Sequence, residues 1–235
     1  MRKKRKGFEC CAFVGGTALR VLHDLKRYSE DLDFSALREG FSAKPLFTDI
    51  EADAGRYGFA VETKHKMEGA VQSCWFRFKG LLYDLKISGI KDQRLSIKME
   101  IDTRPPAGAV VAVAPVNTPF MFLVRTFDLP SSLATKLHAC FFRKYTKGRD
   151  FYDLLWYRGK KVIPNYILLN NAIEQTQKVK LNITPETIKS FLRERVNAVD
   201  FDAVRKDVGP FIENKDELKM LKKDTFTAII DSWEL

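Results

Sequence analysis

A short apolar run over residues 8–14 ends at Gly15 and Gly16, and a helical pattern begins directly after them. The apolar side chains of that pattern recur at spacings of three and four, as on one buried helix face: Ala18, Val21, Leu22 and Leu25. A buried strand that stops at glycines and leads into a helix presents free backbone N–H groups at the first helical turn. Such a terminus binds phosphate well when no side chain blocks the approach. The sequence therefore predicts a strand, a glycine turn and a helix over residues 17–27.

Two aspartates at alternate positions follow this unit. Residues 31–35 (DLDFS) alternate as a strand does, so Asp31 and Asp33 are expected to project from the same face. Two carboxylates held close together repel unless a cation lies between them. Hard oxygen ligands of this kind suit Mg²⁺, which completes its coordination with water and substrate phosphate. A phosphate-binding turn beside a carboxylate pair predicts phosphoryl or nucleotidyl transfer.

Each feature alone also has an ordinary structural explanation. Two glycines before a helix are common, and alternate aspartates often lie on a solvated strand edge or make a loose calcium contact. The order and spacing of the two features in this chain favour the functional interpretation.

The rest of the chain divides near residue 125. Before that point, the pattern predicts a helix over 44–57 and strands over 59–64, 71–78, 81–87 and 96–102. After it, the pattern is helical, with predicted helices over 131–143, 150–157, 165–176, 185–195, 201–212 and 216–232. We therefore expect an α/β domain over 1–125 and an all-helical domain over 126–235.

Charge and composition narrow the class of protein. The net charge is +10, and the run Arg2–Lys6 supplies five of the positive charges. Such a charge points to a polyanionic partner such as nucleic acid or nucleotide phosphate, and it fits a surface that only keeps the protein in solution equally well. The longest apolar stretch, residues 109–115, falls far short of the ~20 residues that a membrane span needs. The four cysteines form no CxxC pair, which argues against a zinc knuckle or disulfide framework and fits a reducing cytoplasm.

The motifs resemble those of a known family. GGTAL at residues 15–19 and RYSEDLDF at residues 27–34 look like the first motif of the AbiEii/AbiGii-type nucleotidyltransferase toxins, in the DNA polymerase β-like superfamily. KLHA at residues 136–139 and KGRDFYDL at residues 147–154 resemble that family's later lysine and RD-x-x-D-L motifs. The resemblance implies an α+β fold, in which a polymerase β-like domain with a mixed or antiparallel sheet precedes a helical domain that completes the active site. Members usually carry a longer segment before the glycine motif, so a fragment or a minimal member is expected.

The resemblance also implies residue roles. Asp31 and Asp33 would bind Mg²⁺, while Gly15, Gly16 and Thr17 would meet the nucleotide phosphates. Ser29, just before the aspartates, is a further candidate for a nucleotide contact, and its alternative role is to steady the turn that carries them. Lys136 would contact the triphosphate, and Asp150 would be an essential acid of the helical domain, with Asp153 as the second choice. Arg27 would pair with a carboxylate or a phosphate. A third metal-binding carboxylate would come from the strand 96–102, as Glu100 or Asp102, of which Glu100 is preferred because it lies further from the strand end.

The implied activity is Mg²⁺-dependent transfer of a nucleoside monophosphate from an NTP to an acceptor. By resemblance the acceptor is RNA, at the 3′ end of tRNA, and the protein is a toxin neutralised by an antitoxin in a toxin–antitoxin or abortive-infection system. Two alternatives remain open at this point. One is a nucleotide- or RNA-binding module without turnover, and the other is phosphotransfer or protein nucleotidylation on the same fold.

Overall fold

The computed structural model describes residues 8–117, 119–143 and 145–233, so the basic run Arg2–Lys6 lies outside the described residues. The chain forms two compact units. The first takes in the chain up to Leu22, Glu30–Pro105 and Val113–Thr126, and the second takes in His23–Ser29, Pro106–Ala112 and the chain from Phe127 onward. The predicted functional division at residue 125 stays a prediction.

Within the described ranges, the strands form one seven-stranded sheet of mixed type, in the order β3-β4-β5-β2-β1-β7-β6. Their bounds are β1 Cys11–Val14, β2 Leu32–Ala36, β3 Val61–Lys66, β4 Val71–Phe78, β5 Leu95–Asp102, β6 Val111–Val116 and β7 Phe122–Phe127. The pairs β1–β2, β3–β4 and β4–β5 are antiparallel, whereas β2–β5 and β1–β7 are parallel. The predicted α+β class with a mixed sheet is confirmed.

The helices of the described residues alternate with the strands early in the chain and follow one another later. Their bounds are α1 Gly15–His23, α2 Lys44–Arg56, α3 Leu81–Asp84, α4 Leu129–Phe142, α5 Gly148–Gly159, α6 Tyr166–Gln177, α7 Ile188–Asn197, α8 Phe201–Val208 and α9 Lys223–Asp231. The helical character predicted for the later part of the chain is therefore confirmed. None of these helices combines the length and the apolar character that crossing a membrane requires.

The sheet of the first unit has one apolar and one polar face, because alternate residues of a strand point to opposite sides. Apolar side chains of β1, β2, β4 and β5 pack with α2 on one side; they include Phe13, Phe34, Phe76, Met99 and Ile101. Phe47 of α2 is fully buried in this cluster. The strand register sends Asp33 and Glu100 to the other side, so the apolar core holds one face of the sheet and leaves the other to polar groups.

The prediction of a strand over residues 81–87 is wrong. Those residues include α3, which begins after Gly80, a glycine with a φ of 70°. Leu85 and Ile87 are exposed by 58% and 69%, so they do not pack into a sheet. Short apolar runs fit a helical turn as well as a strand, and periodicity alone does not separate the two.

The helix predicted over 17–27 ends earlier, at His23, because Asp24 takes a φ of 61° in the left-handed region. A left-handed residue interrupts the helical hydrogen bonding and turns the chain. Strands β6 and β7 were not predicted. The prediction over 71–78 matches β4, and the strand over 96–102 starts one residue early, at Leu95.

Candidate active site

Gly15 lies directly against Asp33. A β-carbon on Gly15 would come within 3.0 Å of the Asp33 Cβ and 3.1 Å of its Cγ, and its φ is +78°. Two reasons therefore require glycine at this position: the left-handed backbone conformation, and the lack of space for a β-carbon next to Asp33. The start of α1 therefore touches the carboxylate-bearing side chain on β2, and the glycine turn and the aspartate motif form a single site.

Replacing Gly15 with alanine is expected to lower the free energy of unfolding by about 2 kcal/mol or more, because a left-handed alanine costs ~1–2 kcal/mol and the methyl group also overlaps Asp33. Urea unfolding followed by circular dichroism measures the effect. Gly55→Ala is the matched control, since Gly55 lies inside α2 without a left-handed φ, and a methyl group there would have nothing within 4 Å. The control should be neutral or stabilising by up to ~1 kcal/mol. An equal effect of the two substitutions would contradict the close approach to Asp33.

Thr17 fixes the segment that enters β2. Its hydroxyl donates a hydrogen bond to the backbone carbonyl of Asp31. This bond joins the first turn of α1 to the first aspartate of the motif. Gly16 is buried in the same turn. The predicted contacts of Gly15, Gly16 and Thr17 with nucleotide phosphates stay predictions, and the structure assigns the Thr17 hydroxyl to positioning Asp31.

The register of β2 and β5 puts Glu100 beside Asp33. The two residues are Cα partners in a parallel pair, so their side chains leave the same face of the sheet. Asp102 instead lies opposite Ser35, and its Oδ1 accepts a hydrogen bond from the Arg104 backbone N–H at 2.9 Å. Burial raises the pKa of Asp102. Of the two candidates for a third carboxylate, Glu100 is the one adjacent to Asp33.

Lys98 is the residue of this site that the sequence prediction missed. Its Nζ lies 2.8 Å from the Glu100 Oε1. Burial acts to lower the pKa of Lys98, but the hydrogen bond to Glu100 and the charges of Glu100, Asp31 and Asp33 raise it overall. The sequence pattern indicated this pair, because Lys98 and Glu100 are two positions apart on one strand and so lie on the same face.

The carboxylates that the sequence predicts to bind Mg²⁺ are oxygen ligands of the kind that this ion takes. Among residues 8–117, 119–143 and 145–233, no group of three or more His, Cys, Asp and Glu side chains is arranged to hold a metal ion. Glu100 is directed to Lys98. Mg²⁺ commonly takes one or two protein carboxylates and completes its shell with water and substrate phosphates. The metal roles predicted for Asp31, Asp33 and Glu100 stay predictions.

The later motifs come together in the second unit as a buried ionic network. The Lys136 Nζ on α4 lies 2.7 Å from an Asp150 oxygen and 2.8 Å from an Asp153 oxygen, both on α5. Arg143 Nη1 pairs with the other Asp150 oxygen at 2.8 Å. Burial acts to raise the pKa of Asp150, but the charges of Lys136 and Arg143 hold it below its usual value.

Asp153 is the centre of this network. It is fully buried, and it accepts hydrogen bonds from the Arg27 Nε at 2.6 Å and Nη2 at 2.7 Å. Arg27 therefore pairs with a carboxylate, which was one of the two roles predicted for it. Lys136 is engaged by two carboxylates, so its observed contacts hold α4 to α5. The contact of Lys136 with a triphosphate and the essential role of Asp150 stay predictions.

The start of α5 depends on a glycine as well. The Gly148 N–H donates to an Asp207 carboxylate oxygen at 2.7 Å, and a β-carbon there would come within 3.0 Å of backbone atoms of Val204 and Val208 on α8. This close approach sets the helix that carries Asp150 and Asp153. Ser29 belongs to the second compact unit, and its predicted contact with the nucleotide stays a prediction.

The chain matches a known family over nearly its whole length. Residues 2–231 match the model of a family described as nucleotidyl transferase AbiEii toxin of a type IV toxin–antitoxin system. No match was found among curated proteins.

Two solved structures share the fold. A candidate nucleotidyltransferase from H. pylori superposes with a TM-score of 0.57 at 18% identity, over 96% of this chain and 90% of that one. JHP933 from Helicobacter pylori superposes with a TM-score of 0.57 at 19% identity, over 95% of this chain and 85% of that one. At this level of identity, the likeness shows the fold alone.

Proposed function

This chain belongs to the family of AbiEii nucleotidyl transferase toxins of type IV toxin–antitoxin systems, and from that premise we propose that it transfers a nucleoside monophosphate from an NTP to RNA at a Mg²⁺ site formed by Asp31 and Asp33. The family implies a nucleotide substrate and an antitoxin partner. The observation that carries the proposal is the position of Asp33, which lies against Gly15 at the start of α1 and beside Glu100 on β5.

In this reaction, an acceptor hydroxyl attacks the α-phosphorus of the NTP, an O–P bond forms, and the bond to pyrophosphate breaks. Asp31 and Asp33 would hold Mg²⁺, which when bound would offset triphosphate charge and lower the pKa of the attacking hydroxyl. The first turn of α1 would present backbone N–H groups to phosphate oxygens. The roles of Lys136 at the triphosphate, of Asp150 as an essential acid and of Ser29 at the nucleotide remain part of this proposal.

Glu100 adds a negative charge to the site, and Lys98 balances it. The 2.8 Å pair orients both side chains on the face of the sheet that carries Asp33. Lys98 also lies in the field of Asp31 and Asp33, since their charges raise its pKa. We propose that Glu100 serves as the third carboxylate, with Lys98 holding it in position.

Glu100→Gln is expected to lower kcat by about 100-fold, whereas Asp102→Asn should change it by less than about threefold. The reason is that Glu100, the partner of Asp33 across β2–β5, would be the third carboxylate of the metal site, and losing even a group that only orients metal ligands typically costs ~10–100-fold. Steady-state kinetics at saturating NTP measures both, and thermal unfolding checks that each variant folds. If Asp102→Asn causes the larger loss, the third carboxylate has been assigned to the wrong residue.

RNA is the acceptor class that the charge favours. The net charge of +10 attracts polyanions, and the sheet face of the site carries further cations on β3 and β4. The 3′ end of tRNA offers a hydroxyl on an unpaired strand. A 3′-terminal hydroxyl is a nucleophile suited to attack on the α-phosphorus of an NTP.

The acceptor is tested by incubating the purified chain with Mg²⁺, each of the four α-labelled NTPs, total RNA and purified tRNA. We expect one NTP to label RNA at its 3′ end, and periodate oxidation of the RNA to abolish labelling. Label on protein instead of RNA would show that the acceptor is protein. Nucleotide binding without any labelled product would show a binding module, and either result would contradict the proposal.

A further inference from the structure

The polar face of the sheet continues from the carboxylates to its edge at β3. The register places Lys66, Ser73, Glu100 and Asp33 in one row across β3, β4, β5 and β2. At the ~4.8 Å spacing of neighbouring strands, this row spans about 14 Å from Lys66 to Asp33. A chain of a few nucleotides that starts at Asp33 therefore reaches β3.

A second row lies beside the first. Lys64 of β3 is opposite Trp75 of β4, and Trp75 is opposite Lys98 of β5. The Lys98 Nζ lies 5.6 Å from the centroid of the Trp75 ring, and the same Nζ pairs with Glu100. Trp75 is half-buried and Lys64 is exposed. Lys98 therefore links the Trp75 indole to Glu100 of the carboxylate site, and part of the indole remains accessible to solvent.

The outer part of this face is strongly basic. Its residues, here named the basic face, are Lys64, Lys66, Trp75, Arg77, Lys79 and Arg94. Glu62 of β3 lies among them, and it is paired with Lys79 and with Arg94, the latter at 3.0 Å. Lys64, Lys66, Lys79 and Arg94 are exposed. The carboxylates of Asp33 and Glu100 therefore lie on β2 and β5, and the exposed lysines Lys64 and Lys66 lie on β3 at the edge of the sheet.

We propose that the single-stranded 3′ end of the acceptor RNA lies across the basic face, with an unpaired base against Trp75 and backbone phosphates on Lys64 and Lys66. This inference rests on the proposed function and names the surface that brings the acceptor hydroxyl to the carboxylates. Cations interleaved with one accessible aromatic ring match a strand whose phosphates and bases are both exposed. The bases of a duplex are stacked on one another and are not available to stack on Trp75. The aromatic ring therefore favours a single strand.

Binding is measured without NTP or Mg²⁺, so that it does not depend on catalysis. Fluorescence anisotropy follows a labelled single-stranded oligoribonucleotide and a blunt duplex of the same sequence, each over a range of salt concentrations. The variants are Lys64→Gln, Lys66→Gln, Trp75→Ala and Trp75→Phe. Lys44→Gln is the matched control, because Lys44 is an exposed lysine of the same unit at the start of α2, the helix that packs on the opposite face of the sheet.

Trp75→Ala should weaken single-strand binding about tenfold or more, and Trp75→Phe should retain most of the affinity, since base stacking on an aromatic ring is worth ~1–3 kcal/mol. Each of Lys64→Gln and Lys66→Gln should reduce the slope of log affinity against log salt by about 0.7. Lys44→Gln should leave affinity and slope unchanged, and duplex binding should not respond to Trp75.

The inference is overturned if the lysine variants keep the full salt slope, if Trp75→Ala binds as tightly as the wild type, or if the duplex loses affinity to the same extent as the single strand. This failure is distinguishable from failure of the proposed function. If the variants bind and label RNA like the wild type, the role of the basic face is rejected and the proposed activity stands. If RNA is not labelled but the variants show the expected losses of binding, the proposed activity is rejected and the role of the basic face stands.

Discussion

Asp153→Asn is expected to lower the free energy of unfolding by about 3–5 kcal/mol, which is the usual cost of breaking a buried ion pair by removing one partner. Asp153 has no exposed surface, and it accepts from Arg27 and contacts Lys136 at distances of 2.6–2.8 Å. Asparagine has the same shape but no charge, so it leaves the Arg27 guanidinium, itself only 2% exposed, without its carboxylate. Urea unfolding followed by circular dichroism measures the change.

Asp216→Asn is the matched control in the same unit. Asp216 pairs with Lys219 at 2.6 Å, but both side chains are mostly exposed, and surface pairs of this kind contribute about 0–1 kcal/mol. The control should therefore unfold close to the wild type. A loss below about 1 kcal/mol for Asp153→Asn would mean that the network does not stabilise the helical unit.

Asp33→Asn is expected to lower kcat for nucleotidyl transfer by about 1000-fold while leaving stability nearly unchanged. The charge of a bound metal is worth several kcal/mol in stabilising the transition state, and each 1.36 kcal/mol corresponds to about a factor of ten. Asparagine keeps the shape of Asp33 beside Gly15, so the start of α1 should stay in place.

Steady-state kinetics in saturating NTP and Mg²⁺ measures the effect of Asp33→Asn, and thermal unfolding reports on the fold. Asp92→Asn, an exposed aspartate of the same unit, should retain activity within about twofold. Retention of more than about a tenth of the wild-type kcat by Asp33→Asn would contradict a metal-binding role for this carboxylate.

Local patterns in the sequence predicted the parts of the site that depend on short-range geometry. A glycine turn before a helix predicted the start of α1, and the close approach of Gly15 to Asp33 agrees with a glycine turn beside the aspartate motif. The projection of Asp31 and Asp33 from one face stays a prediction, since β2 begins at Leu32 and Asp31 precedes it. The strand 96–102 was recognised by its alternation, and the preference for Glu100 over Asp102 agrees with the β2–β5 register.

Other features depend on residues far apart in the chain. Arg27 and Asp153 are separated by 126 positions, and no local pattern indicates that they pair. Asp150 and Asp153 share one helical face, but their observed partners are Lys136, Arg143 and Arg27, which lie outside that helix. The strand prediction for residues 81–87 failed because apolar residues at this spacing fit both a strand and a helical turn.

The central claim is that the carboxylates of Asp31 and Asp33 support attack at the α-phosphorus of an NTP. It is tested most directly by comparing α-labelled and γ-labelled NTP in parallel reactions with RNA and Mg²⁺, using the wild type and the Asp31→Asn/Asp33→Asn double variant. We predict that the wild type labels RNA from the α-labelled NTP alone and releases pyrophosphate, and that the double variant labels nothing. Labelling from the γ-phosphate, or α-labelling that survives in the double variant, would contradict the claim.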